Sequence, residues 1–344
     1  MRYRKLGRTG LLVSELCLGT NMFGGAEDEF WKTYGGLDQT SANSVIAAAF
    51  EGGINFIDTA DGYTNGQSEQ IVGQAIKDLA IPRSSVVLCT KAGMQIGPGQ
   101  NDGGGSRAHL INACDKSLQR MGVDYIDLYL MHMFDPATPL EESLRALDDL
   151  VRAGKVRYVG CSNFTSWEMM KALGISERER LARFEVNQVH WSMAAREIER
   201  ELVPMANSEG VGILAWGPLL GGALTGKYKR GGGAEGGGRL GAGDLPGLID
   251  ADRLHDIVDV MREIGAAHGV TPAEIAIAFL LREKAATSIL VGSTKPEQVK
   301  ANLRASDLTL SAEEIDKLDK VSAFKPDYAA AMMKRTRAGR QALV

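Results

Sequence analysis

Leu16-Cys17-Leu18-Gly19-Thr20-Asn21-Met22-Phe23-Gly24-Gly25 is the stretch that separates the two α/β architectures open to this chain. It starts as a short apolar strand and runs into a loop bearing glycines. A doubly wound dinucleotide fold would place Gly-x-Gly-x-x-Gly directly after its first strand, so that backbone can approach a pyrophosphate. Glycines at 19, 24 and 25 do not have that spacing. A closed barrel asks only that strand and helix alternate eight times.

That alternation continues on the C-terminal side. After Leu16–Leu18 come Phe56–Ile57, Val86–Cys89, Ile126–Met131, Val156–Gly160, Phe184–Val189, Val211–Ala215 and Thr287–Val291. Each is short and mostly apolar, as parallel strands buried on both faces should be. Between them lie amphipathic helices. Val45, Ile46, Ala49 and Phe50 share one face before Gly52-Gly53 stops the helix. Ser106 opens a stripe of Leu110, Ile111, Cys114, Leu118 and Met121. Thr138-Pro139-Leu140-Glu141 and Thr271-Pro272-Ala273-Glu274 both read as capping boxes with proline at the first helical position. The expected fold class is therefore α/β, a (β/α)8 TIM barrel. Residues 1–15, with the turn Arg8-Thr9-Gly10, add an N-terminal β-hairpin that closes one end. Ser311-Ala312-Glu313-Glu314 caps an extra C-terminal helix. The whole of 1–344 reads as a single barrel domain, with 325–344 a tail of unassigned order.

Composition agrees and excludes several functions. With 44% hydrophobic and 24% charged residues, the chain can bury enough apolar surface to offset its conformational entropy. A net charge of −4 leaves no basic excess for a phosphate backbone, so no nucleic-acid partner is expected. No apolar run nears the ~20 residues that cross a bilayer, so no membrane role is expected. The apolar stretch Leu11-Leu12-Val13 is too short for a secretory leader. Cys17, Cys89, Cys114 and Cys161 show no paired spacing, which suits buried thiols in a reducing, cytoplasmic compartment. The histidines, at 109, 132, 190, 255 and 268, have no ligand spacing, so no metal is expected.

In such a barrel, reactive groups sit at the C-terminal ends of strands. The second strand ends at Asp58 with Tyr63 in the following loop, the third at Lys91 and the fourth at His132. An acid, a phenol, an amine and an imidazole thus converge on one rim. A phenol is a poor acid at neutral pH, with a reference pKa of about 10. A neighbouring ammonium is expected to lower that value, and Asp58 would keep Lys91 charged and in place. Tyr63 would then give a proton to a carbonyl oxygen, with His132 orienting the same oxygen. A Schiff base on Lys91, as in barrel aldolases, is the competing reading of that lysine.

Around these residues the sequence resembles the aldo-keto reductases, over residues 1–322. The carrying motifs are Asn55-Phe56-Ile57-Asp58-Thr59-Ala60-Asp61-Gly62-Tyr63, then Tyr125-Ile126-Asp127-Leu128-Tyr129-Leu130-Met131-His132 with Asp135 behind. A third is Gly154-Lys155-Val156-Arg157-Tyr158-Val159-Gly160-Cys161-Ser162-Asn163. The nearest branch is that of the aryl-alcohol-dehydrogenase-like enzymes, related to channel-associated β subunits. The resemblance implies a nicotinamide cofactor, NADP(H) rather than NAD(H), and reversible reduction of aldehydes or ketones. Asp58, Tyr63, Lys91 and His132 would be the catalytic residues, with Asp58 also at the cofactor. Ser162, Asn163 and Gln188 would bind the carboxamide, and Trp216 would stack on the nicotinamide. Thr20 would close over the ribose and nicotinamide. Gly217, Pro218, Leu219 and Lys227 would wrap the pyrophosphate. Gly292, Thr294, Lys295, Gln298 and Asn302 would hold the adenosine 2′-phosphate end, although Ala301 stands where the family often has an adenine-facing glutamate. The partner implied is a small carbonyl substrate, for which Met22, Phe23, Trp31, Met94 and Phe134 offer apolar walls. The alternative function is a redox-sensing module that holds NADP(H), as the channel-associated relatives do. Oligomeric state is not legible.

Glycine is in excess, 41 of 344 residues, with dense clusters at 93–105 and 231–243. Each reads either as a solvated low-complexity loop or as a rim loop. The second, with Arg239 as anchor on the cofactor phosphates, is expected to clamp a bound cofactor.

Overall fold

Side-chain alternation along each strand sorts the apolar residues into two layers. Cys17, Phe56, Val87, Cys89, Leu128, Leu130, Val186, Leu214 and Leu290 pack together inside a ring of strands. Their strand neighbours, among them Leu18, Ile57, Leu88, Tyr129, Met131, Val159, Ile213 and Ile289, face outward into a second layer shared with the helices. Burial on both faces is why these strands read as continuous apolar runs. The computed structural model describes residues 1–230, 250–324 and 328–336.

An antiparallel hairpin comes first, β1 (Tyr3–Lys5) and β2 (Leu12–Ser14). The barrel follows as β3 (Leu16–Gly19), β4 (Phe56–Asp58), β5 (Val87–Ala92), β6 (Ile126–Met131), β7 (Val156–Ser162), β8 (Phe184–His190), β9 (Gly212–Trp216) and β10 (Ala286–Gly292). These eight are parallel and close with β10 beside β3. The sequence-based expectation of a (β/α)8 barrel with an N-terminal hairpin is met. Leu6 and Val13 of the hairpin belong to the inner cluster and plug the N-terminal end. Arg4 ties that plug down, donating to the carbonyls of Leu281, Glu283 and Ala286 and pairing with the buried Glu15.

Helix starts follow local chemistry. Asp38, Ser106 and Asp250 accept backbone N–H bonds at the starts of Gln39–Glu51, Arg107–Met121 and Ala251–His268. Complete capping boxes open Pro272–Leu281 and Ala312–Val321. One expected box is absent. Pro139 itself is the N-cap of Leu140–Arg152, and Thr138 instead donates its hydroxyl to Asp135 at 2.7 Å. Asp135 already organises that loop, accepting also from the N–H groups of Gly105 and Ala137, and so outcompetes the cap. Past β10 lie Pro296–Arg304, Ala312–Val321 and Tyr328–Thr336, the extra C-terminal helices.

Among the described residues no single helix is long and apolar enough to cross a membrane. All four cysteines are buried and unpaired. The glycine cluster at 93–105 is an ordered turn. Ile96 N–H donates to Asp102, Gly104 N–H to Gly93, and the Gln95 amide to the carbonyls of Gly97 and Gly99. The cluster at 231–243, with Arg239 and the clamp expected there, lies outside the described residues.

Candidate active site

The parallel barrel brings the C-terminal ends of its strands to one rim, and Asp58, Lys91 and His132 arrive there from β4, β5 and just past β6. Tyr63 comes in on the loop after β4. That loop is held by Thr64, whose hydroxyl donates to the Phe23 carbonyl and accepts from the Ser68 N–H. Thr64 and Asn65 both adopt left-handed backbone (φ 48° and 56°), a strained turn that the surrounding hydrogen bonds stabilise.

Lys91 is fully buried and commits all three ammonium protons. It donates to Asp58 Oδ2 at 2.8 Å, to the Thr59 carbonyl at 2.8 Å and to Tyr63 Oη at 3.1 Å. Gln188 Nε2 donates to the other Asp58 oxygen at 2.7 Å. Burial alone would discharge the amine, but the charge of Asp58 beside it holds the Lys91 pKa well above the ordinary lysine value. A Schiff-base nucleophile needs a neutral, accessible amine, so this environment argues against the aldolase reading.

The phenol behaves differently from the expectation. Burial raises the Tyr63 pKa above its ordinary value of 10, and Lys91 pulls it back only in part, because Asp58 offsets the lysine charge. Tyr63 therefore carries its proton at neutral pH. Its oxygen accepts from Lys91, which leaves the O–H free to donate into the open groove that Tyr63 lines. His132 stands edge-to-face to it, ring centroids 5.9 Å apart. Burial, aided by the Lys91 charge, lowers the imidazole pKa to about 3, so His132 is a neutral hydrogen-bonding group.

The groove has a volume of about 1600 Å³. Thr20, Asp58, Tyr63, His132, Ser162, Asn163, Gln188, Trp216, Gly217, Pro218, Leu219, Lys227, Gly292, Thr294, Gln298 and Asn302 all line it. Of the expected cofactor residues described, only Lys295 is outside the lining; it is the N-cap of Pro296–Arg304. Trp216 presents an indole that is 39% exposed, and its Nε1 donates to Asn163 Oδ1 at 3.0 Å. Asn163 adopts φ 60°, a left-handed conformation that asparagine tolerates. From there its amide also donates to the His132 carbonyl and to Ser162 Oγ. Thr20 is fully buried, donating its hydroxyl to the Asp58 carbonyl at 2.9 Å.

These features fit a nicotinamide dinucleotide. The groove is large, the partly exposed Trp216 indole and the Tyr63 phenol both line it, and the segment after β9 offers a glycine cradle. A Cβ on Gly222 would stand 3.1 Å from Lys227 Nζ, so glycine there lets the ammonium fold over the loop. Among the described residues no group of three or more His, Cys, Asp or Glu could hold a metal ion.

A profile of the Aldo/keto reductase family matches residues 15–323. The chain belongs to the aldo/keto reductase family. It is 34% identical to a probable voltage-gated potassium channel subunit beta of Arabidopsis thaliana over 333 residues, covering 95% of this chain and 98% of the relative. It is 33% identical to versiconal hemiacetal acetate reductase of Aspergillus parasiticus, covering 93% and 96%. It is 31% identical to L-glyceraldehyde 3-phosphate reductase of Escherichia coli O157:H7, covering 93% and 92%. Membership and these reductase relatives support an oxidoreductase that acts on carbonyl groups.

Some expected wall residues do not line the groove. Phe23 is fully buried in the outer core, and Met22 borders the groove with only 1% exposed. Met22 thus lines the groove as expected, whereas Phe23, also just past a strand end, is turned inward by the loop after β3. Phe134 packs edge-on against Phe164 and Trp167. Trp31 does stand near the phenol, with ring centroids 6.2 Å apart.

Three roles are not legible in the motifs. Gln188, expected as a carboxamide ligand, is also the partner of Asp58. His190 is two residues further along β8, and the alternation of strands is the signal that puts it on the same face. Asp61 sits within a motif without a role of its own; it is 2% exposed, with both carboxylate oxygens buried and unpartnered.

Proposed function

We propose that this chain catalyses the reversible NADP(H)-dependent reduction of aldehydes and ketones to alcohols. The observation that carries this reading is the buried relay Asp58–Lys91–Tyr63, which ends in a phenolic proton facing the groove beside Trp216. A bound nicotinamide supplies or takes up the hydride at its C4 position. Tyr63 donates its proton to the carbonyl oxygen as negative charge develops there, and takes one back in the alcohol direction. Lys91 donates to the phenolic oxygen throughout, so the phenolate left behind is stabilised in place, and Asp58 and Gln188 hold Lys91 in register. His132, neutral, donates one hydrogen bond to the same substrate oxygen and fixes its angle. Ser162, Asn163 and Gln188, which are joined by hydrogen bonds on one rim, would hold the carboxamide, with Trp216 as the platform. Preference for NADP(H) over NAD(H) is supported by the family resemblance and by the helix N-terminus at Pro296, a ready anion site. The relatives named as reductases of versiconal hemiacetal acetate and L-glyceraldehyde 3-phosphate support an oxygen-rich carbonyl compound as substrate class.

Oxidation of NADPH against aromatic aldehydes, dicarbonyls and sugar aldehydes is the direct test. Multiple turnovers are expected, with kcat of Tyr63→Phe lowered about 10²- to 10⁴-fold while cofactor affinity is unchanged. Full turnover by Tyr63→Phe would refute the assignment. Tight, non-exchanging cofactor without turnover would instead support the redox-sensing module, the alternative to which the similarity to a channel subunit beta lends weak support.

A further inference from the structure

Two cavities meet at His190, a residue the proposed mechanism leaves unused. The imidazole ends β8, where His190 pairs in register with Trp216 at the end of β9. Their ring centroids are 4.7 Å apart with planes tilted by 56°. Both residues line the large groove. His190 also borders a second cavity of about 490 Å³, lined in addition by Arg200 and Glu201, and Glu197 lines both. The ring is packed tightly from the backbone as well. Gly217 has φ 68°, and a Cβ there would press on the imidazole at 2.7 Å from Cδ2 and 3.0 Å from Nε2.

We propose that His190 is a positioning residue that makes the Trp216 platform discriminate between the oxidised and the reduced nicotinamide. The inference rests on the nicotinamide reading of the groove. The oxidised ring is cationic and the reduced ring is neutral. A neutral imidazole packs on the indole and treats both alike. A protonated one adds a cation beside the platform and repels the oxidised ring alone. At a separation of about 8 Å and an intermediate dielectric, this repulsion is about a threefold to tenfold loss of affinity.

The charged groups around the ring set where it protonates. Burial holds the His190 pKa below the ordinary histidine value, and Glu197, from the turn after β8, opposes that shift. Arg200 and Glu201 line the same second cavity with opposite charges, while Trp216, Gly217 and Asn163 are uncharged. The switch therefore lies on the acid side of neutrality. In the reducing direction, acid favours departure of the oxidised cofactor.

The test measures binding of NADP⁺ and NADPH by tryptophan fluorescence at about pH 7.5 and about pH 5, read by stopped flow before NADPH decays in acid. Wild type, His190→Gln and His190→Phe are compared, and the ratio of the two dissociation constants is the readout. The cofactor's own 2′-phosphate titrates equally in both forms and cancels. In wild type the ratio is expected to shift several-fold toward NADPH in acid. In both variants the part of the shift carried by His190 is lost, although Phe keeps the aromatic contact, and only the part from protonation of Asp61, common to all three proteins, remains. A flat ratio in wild type, or the same shift in the variants, overturns the role of His190 and leaves the cofactor reading standing. Binding of neither form to wild type overturns the cofactor reading and this inference with it.

Discussion

Replacing Asp61 by asparagine should stabilise the protein at alkaline pH more than at acid pH. Asp61 is buried with no side-chain hydrogen bond to either oxygen, and the Gly62 backbone N–H is the one donor that favours its ionised form. Its neighbour Glu69 already has the local cation, pairing with Arg120 at 2.5 Å and accepting from the Thr90 hydroxyl. Burial first, and then the charge of Glu69, raise the Asp61 pKa from 3.8 to about 7, and Arg120 pulls back only part of it. In the unfolded chain the carboxyl ionises near its ordinary value. Between these two values the folded state holds a proton that the unfolded state does not, so stability falls as pH rises. A shift of about three units amounts to about 4 kcal/mol by pH 8, as an upper bound. The side chain of the Asp61→Asn variant has nothing to ionise, which removes this slope. Its amide is as poorly partnered as the carboxyl, at a pH-independent cost of about 1–3 kcal/mol. Denaturant unfolding of both proteins at about pH 5 and about pH 8 separates the two effects. Because part of this penalty is already present at pH 5, the variant should gain at most about 2–3 kcal/mol on wild type between the two pH values. A difference that is the same at both, or that moves the other way, would refute a protonated Asp61.

Other expectations follow from the same buried groups. Lys91→Met leaves Asp58 without its cation, so a stability loss of about 3–5 kcal/mol is expected in denaturant melts, with turnover lost as well. His132 is held neutral in the fold, with its pKa lowered from 6.5 to about 3. Its contribution is present above pH 6.5 and is lost as pH falls, so His132→Gln should flatten the decline in melting temperature between about pH 6 and about pH 4. Trp216→Ala should weaken nicotinamide cofactor binding about threefold to tenfold in equilibrium titrations, with the fold unchanged in circular dichroism. Equal cofactor affinity in that variant would remove the indole from the proposed site.

Periodicity and spacing were enough for the architecture. Short runs buried on both faces, separated by capped amphipathic segments, leave few alternatives to a parallel barrel, and its geometry sends every strand end to one rim. Asp58, Lys91 and His132 could be picked out for that reason, and Tyr63 because the loop after a strand end can go nowhere else. The excess glycine at 93–105 marked a turn, but only the folded chain shows it closed by its own hydrogen bonds.

What the sequence determined was which residue types reach the rim, since strand direction and the two-residue alternation are local properties. Tertiary structure decided their protonation and partners, since these depend on groups distant in the chain. Lys91 meets Asp58 and Tyr63 from a different strand, and the balance of burial against those charges raises the phenol pKa where the pair alone predicts a lowered one. Asn163 reaches Trp216 across 53 residues, and Gln188 reaches Asp58 across 130. Phe23 turned inward because the loop after β3 folds back on the barrel. Asp61 became a titrating group only when the fold removed its water and assigned the nearby guanidinium to Glu69.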